Sequence, residues 1–114
     1  MAVVIRLYTG PDGQSHLQEV PEAFSAPGVP DTDALQPAKG IIFRRSPGAA
    51  SSEWHTAPRR QYVISLQGAF EIEVADGSKQ RFNPGDVLLA EDITGQGHLT
   101  RGFGDRVTMF IPLA

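Results

Sequence analysis

"QYVISLQGAFEIEVADGSKQRF", residues 61–82, decides the fold. Its opening "QYVISL" is rich in β-branched and aromatic residues, and a Gln-Gly pair breaks it. "AFEIEVA" (69–75) then alternates with period two, which turns Phe70, Ile72 and Val74 to a core and Glu71 and Glu73 to water. Asp76–Gly77 follows, the dipeptide that two-residue hairpins favour because glycine accepts positive φ. "KQRF" (79–82) is the returning strand.

The same texture extends both ways. "IIFRRS" (41–46), "DVLLA" (86–90), "HLTRGF" (98–103) and "RVTMFIP" (106–112) read as short strands. They are separated by "SPGAAS", "NPG", "EDITGQG" and "GD". At the N-terminus, "VVIRLYT" (3–9) stops at the turn "GPDG", and "SHLQEV" (15–20) pairs back as a hairpin partner. Residues 21–39 carry four prolines and hold neither a helical nor a strand period, beyond one helical turn near "DTDAL". No segment has an amphipathic helical stripe of useful length, so the class is all-β, a sandwich or barrel. The expected organisation is one domain, with an N-terminal strand and loop arm over 1–39 and a barrel over 40–114.

Composition narrows the function classes. The 114 residues fit one domain with a real core. Net charge is −3 and like charges never run beyond a pair, so nucleic acid and anionic membranes are not expected partners. There is no cysteine, which removes disulfides, thiolate metal sites and cysteine nucleophiles and fits a cytoplasmic protein. The apolar run at the N-terminus is too short for a membrane span and contains Arg6.

Residues of chemical interest gather around "SEWHTAPRRQYV" (52–63). A continuous strand there would put His55, Ala57, Arg59, Gln61 and Val63 on one face. With Pro84–Gly85–Asp86 and His98 downstream, the pattern resembles a small single-domain bacterial cupin. The first cupin motif runs His-x-His, three or four residues, Glu, six residues, Gly. His55, Ala57, Gln61 and Gly68 stand at those places. The second motif has a Gly-Asp turn, a strand, a turn and a His, matched by "PGDVLLAEDITGQGHLTR" (84–101) with a longer, acidic turn. The resemblance covers about two-thirds of the chain and implies a jelly-roll, the double-stranded β-helix.

What the resemblance implies for chemistry is altered by two replacements. Ala57 removes one imidazole ligand, and Gln61 offers a neutral amide oxygen where a carboxylate is usual. The implied metal ligands are His55, Gln61 and His98, holding a divalent transition metal (Fe, Mn, Ni, Cu or Zn) weakly, for oxygen-dependent cleavage or isomerisation. A metal-free cavity would instead use His55 and His98 for proton transfer. In a third reading the cavity only binds a small molecule, as a sensor or binding module. A lone histidine is best explained as a satisfied polar group in a strand; the pair, on segments that the fold would bring together, supports a site.

Phe43, Arg45, Val63 and Met109 are expected to contact a small-molecule substrate. Of Arg44–Arg45 and of Arg59–Arg60, one member must face inward, where it could bind a carboxylate or phosphate, although an exposed ion pair is the plainer role. His16 is expected at the surface. No Ser-His-Asp set is legible, and no acid is assignable to either histidine. The resemblance also implies a homodimer, with the sticky "AVVIRL" strand lent to a partner's sheet.

Overall fold

The structure, a computed structural model, describes residues 2–114. Ten strands form two sheets. One has six strands: β1 (Val4–Thr9), β2 (Ser15–Glu19), β3 (Ile42–Ser46), β5 (Gln61–Gln67), β8 (Val87–Ala90) and β10 (Arg106–Pro112), ordered β2-β1-β8-β5-β10-β3. The other has four: β4 (Ala50–Ser51), β6 (Phe70–Glu73), β7 (Lys79–Phe82) and β9 (Leu99–Gly102), ordered β4-β9-β6-β7. All pairings are antiparallel except β1 with β8. Among the described residues no helix is long and apolar enough to cross a membrane.

Alternation builds the core as expected. Phe70, Ile72 and Val74 are buried, while Glu71 and Glu73 are partly exposed and bind Arg101. The Asp76–Gly77 turn joins β6 to β7 in register Phe70↔Phe82, and those two rings stack at 4.9 Å. Apolar residues of both sheets meet in one cluster that includes Ile5, Leu7, Val63, Phe82 and Leu88. Phe82 and Leu7 are fully excluded from solvent.

The N-terminal region differs from the expected arm. β1 is paired on both sides within the chain, with β2 and with β8, so its β-branched residues close the six-stranded sheet and leave no free edge to lend. The open edges of that sheet belong to β2 and β3. Residues 21–41 are mostly exposed, with a 3₁₀ turn at Pro21–Ala23 and a single helical turn, α1, at Asp31–Ala34. Sequence alternation also missed β4, two residues inside "SPGAAS" that pair with β9.

Candidate functional site

A cavity of about 520 Å³ lies between the sheets. Its apolar walls come from Val63, Phe70, Ile72, Leu88, Ala90 and Phe110. That volume falls within the roughly 300–1,000 Å³ of small-molecule sites.

His55 and His98 both line it. Neither sits in the body of a long strand. They face each other across an isolated antiparallel bridge, exchanging two backbone hydrogen bonds: His55 N–H to the His98 carbonyl at 3.0 Å and His98 N–H to the His55 carbonyl at 2.8 Å. Gly97 makes this approach possible. Its φ is +81°, and a Cβ there would overlap the His55 carbonyl. The imidazoles end with centroids 4.5 Å apart and planes tilted by 52°.

Each ring is oriented through Nδ1. That of His55 lies 2.9 Å from the Glu53 carbonyl oxygen, which can only accept, so Nδ1 carries the proton. That of His98 lies 2.6 Å from Asp92 Oδ2. The Nε2 atoms make no hydrogen bond among the described residues and are the ring nitrogens left for a ligand. His98 is buried while His55 is exposed, so the first is the sheltered member of the pair.

Asp92 is the acid at this site that the sequence alone did not assign to either histidine. It is fully buried, and its Oδ2 accepts from both Ser15 Oγ (2.7 Å) and His98 Nδ1. The Asp92 carbonyl also accepts the Ala57 N–H at 3.1 Å, tying the loop that carries Asp92 to the segment that carries His55. Its neighbour Glu91 is clamped by Arg6 and Arg60 at 2.7 and 2.6 Å. The acid follows β8 directly, in "EDITGQG", where the period of two no longer says which way a side chain points. This is not a nucleophilic triad: Ser15 meets the acid and not the imidazole, and Ser65 donates to the Gly68 carbonyl.

Gln61 is buried on β5 and lines the cavity, and among the described residues its Oε1 has no hydrogen-bond partner. A buried acceptor left bare is costly, so this oxygen invites a donor or a cation. Among the described residues no three His, Asp or Glu side chains group as metal ligands. The cavity-lining residues that could offer donor atoms to a metal are His55, His98 and the Gln61 amide oxygen. Both imidazoles have the Nδ1 support that metal-bound histidines usually show.

Of the expected substrate contacts, Val63 lines the cavity, whereas Phe43, Arg45 and Met109 do not. The cause is register. β5 and β10 pair Val63 with Phe110, so the odd-numbered row of β5 shares its face with the even-numbered row of β10. β3 follows, pairing Arg44 with Thr108 and Phe43 with Met109. Arg44, Thr108 and Phe110 therefore point inward; Phe43 is largely exposed, and Arg45 borders a separate shallow groove. Of the second arginine pair, Arg59 faces the cavity and Arg60 holds Glu91. His16 stays outside, bonded to Asp12.

No protein-family model matches the chain, and no curated protein matches it. Among solved structures, the fold resembles the crystal structure of protein NMB1881 from Neisseria meningitidis, with a TM-score of 0.51 and 19% identity. The match covers 66% of this chain and 74% of that one, and at this identity the likeness concerns the fold alone.

Proposed function

We propose that this chain is a cupin-type jelly-roll protein whose cavity is the site of a small-molecule enzyme, with His98 as the proton-transfer group. The observation that carries this is the buried Asp92 carboxylate, 2.6 Å from His98 Nδ1. An acceptor there keeps the proton on Nδ1 and leaves the Nε2 lone pair toward the cavity. As Nε2 takes a proton from a substrate, the carboxylate stabilises the imidazolium that forms. Ser15 holds the same carboxylate oxygen from its other side and so fixes the ring's direction. His55, with its own Nδ1–H spent on a backbone carbonyl, offers a second lone pair, with ring centroids 4.5 Å apart, suited to accept a hydrogen bond from a substrate hydroxyl while His98 returns the proton it took. The products in view are those of isomerisation, elimination or cyclisation.

Hydrogen exchange tests this without the substrate having been identified. The protein is incubated in D₂O with a panel of small carbonyl compounds, and C–H to C–D exchange is read by mass spectrometry. At least one compound should exchange, and His98→Ala should slow it about 10²–10⁴-fold, the usual worth of a positioned acid or base. Exchange that persists unchanged in His98→Ala sinks the assignment.

The bare Gln61 oxygen favours a second reading, in which His55, His98 and Gln61 hold a divalent transition metal. When bound, such an ion supplies Lewis-acid activation of a substrate oxygen. Elemental analysis of untagged protein purified without chelator tests it, together with thermal shifts in Mn, Fe, Co, Ni, Cu and Zn. Gln61→Glu should enlarge those shifts by restoring a charged ligand. Shifts equal in the two proteins count against a metal at this position.

A further inference from the structure

We infer that the cavity binds the anionic end of its small molecule, a carboxylate or phosphate, between Arg44 and Arg106. The inference rests on the cavity being a small-molecule site and adds the ligand's charge and the residues that read it.

The first support is the sign of the lining. Three arginines, Arg44, Arg59 and Arg106, border the cavity and no Asp or Glu does. The chain as a whole is acidic, at −3 with 13 carboxylate side chains against 10 cationic ones. Of the seven cations elsewhere, four meet a carboxylate: Arg6 and Arg60 hold Glu91, Arg101 holds Glu71 and Glu73, and Lys79 approaches Glu73, while among the described residues Lys39, Arg45 and Arg81 do not. Among the described residues none of the three lining arginines has a carboxylate partner. Positive charge gathered in a concave, half-apolar site raises the local concentration of anions.

The second support is geometry. Arg106 pairs with Ser46 and Thr108 with Arg44, so Arg44 and Arg106 are diagonal neighbours on the cavity face of β3 and β10. Diagonal positions lie about 7–8 Å apart, close enough for two long side chains to share one anion. Two like charges on neighbouring positions repel each other, and an anion bound between them would offset that repulsion.

The third support is that both groups are held. The Arg44 guanidinium sits 4.9 Å from the centroid of the Phe110 ring. Arg106 reaches across to the opposite sheet and lies over Gly102 of β9, where a Cβ would overlap its Nη1. Nη1 donates to the Gly104 carbonyl at 3.2 Å and to that of Gly48 at 3.4 Å, which leaves its remaining donors for a ligand. Gly102 is thus a positioning residue for Arg106. The hydroxyls of Ser46, Thr100 and Thr108 border the same space.

The test titrates ¹⁵N-labelled protein at low salt with succinate, inorganic phosphate and, as the uncharged counterpart, succinamide. Succinate or phosphate should bind and move the Arg44 and Arg106 side-chain resonances, and the preferred probe tells carboxylate from phosphate. Arg44→Gln and Arg106→Gln should each weaken that binding about tenfold or more, as loss of a charge-assisted hydrogen bond does. Gly102→Ala, which keeps every charge but displaces the guanidinium, should weaken it too and shift the Arg106 resonance. Neither anion binding, binding unchanged in both arginine variants, or succinamide binding as well as succinate would overturn the inference. Deuterium exchange of a neutral compound that needs His98 but neither arginine would sink this inference alone. Anion binding that needs the arginines, without His98-dependent exchange, would sink only the proton-transfer role.

Discussion

Asp92→Asn tests how the sheltered histidine is held. In the native site one oxygen, Oδ2, takes both hydrogen bonds, from Ser15 Oγ at 2.7 Å and from His98 Nδ1 at 2.6 Å, while Oδ1 has no partner. An asparagine can place its oxygen where Oδ2 was, but its amide nitrogen then occupies the bare position with two buried, unpaired N–H groups. Turned the other way, the nitrogen confronts the Nδ1–H of His98. Either arrangement strands buried polar groups, which costs about 1–3 kcal/mol. For a domain of this size that is a fall in Tm of about 4–12 °C. Ser15→Ala removes one donor only and should cost about 1 kcal/mol. Because both residues act on one oxygen, the double variant should be non-additive by at least about 0.5 kcal/mol. Urea denaturation followed by Trp54 fluorescence and circular dichroism supplies all four corners of the cycle. Asp92→Asn within about 0.5 kcal/mol of the parent, or strictly additive effects, would refute the claim that this carboxylate organises the site.

Three further outcomes follow from the same structure. Gly97→Ala puts a side chain at φ +81° against the His55 carbonyl, so thermal unfolding should show a loss of at least about 2 kcal/mol. Phe82→Ala empties a fully buried position stacked on Phe70 and should cost about 3–5 kcal/mol in a denaturant titration. Burial works to raise the Glu91 carboxyl, but hydrogen bonds from Arg6 and then Arg60 outweigh it and hold the group below the usual carboxylate range. A depressed native value stabilises the fold above the unfolded value of about 4.3 and is lost as pH falls through the native one. Glu91→Gln should therefore cost about 1 kcal/mol at pH 7, with the gap closing below about pH 4 in a stability-versus-pH series.

Much of this was legible in the chain because period two is a strong signal where one face is buried. It marked Phe70, Ile72 and Val74 as core, found the Asp76–Gly77 hairpin, and put Gln61 and Val63 on one face; His55 reaches the same cavity from an isolated bridge, not from the continuous strand expected. It failed where alternation carries no information. Which row of β10 faces inward depends on its register against β5, and the register shifts between Val107 and Thr108; hence Arg44 and Phe110 stand where Arg45 and Met109 were expected. Asp92 lies in a loop whose direction only tertiary pairing sets, through the Ala57 N–H and Ser15. The parallel pairing of β1 with β8 joins segments about eighty residues apart, and no local pattern specifies such a partner.

The most direct measurement is a long-range ¹H–¹⁵N correlation spectrum of the two imidazoles, with and without succinate or phosphate. The account predicts that each neutral ring carries its proton on Nδ1, and that both respond together when the cavity fills. A ring of residue 55 or 98 protonated on Nε2, or one that ignores a ligand which moves the other, would contradict it.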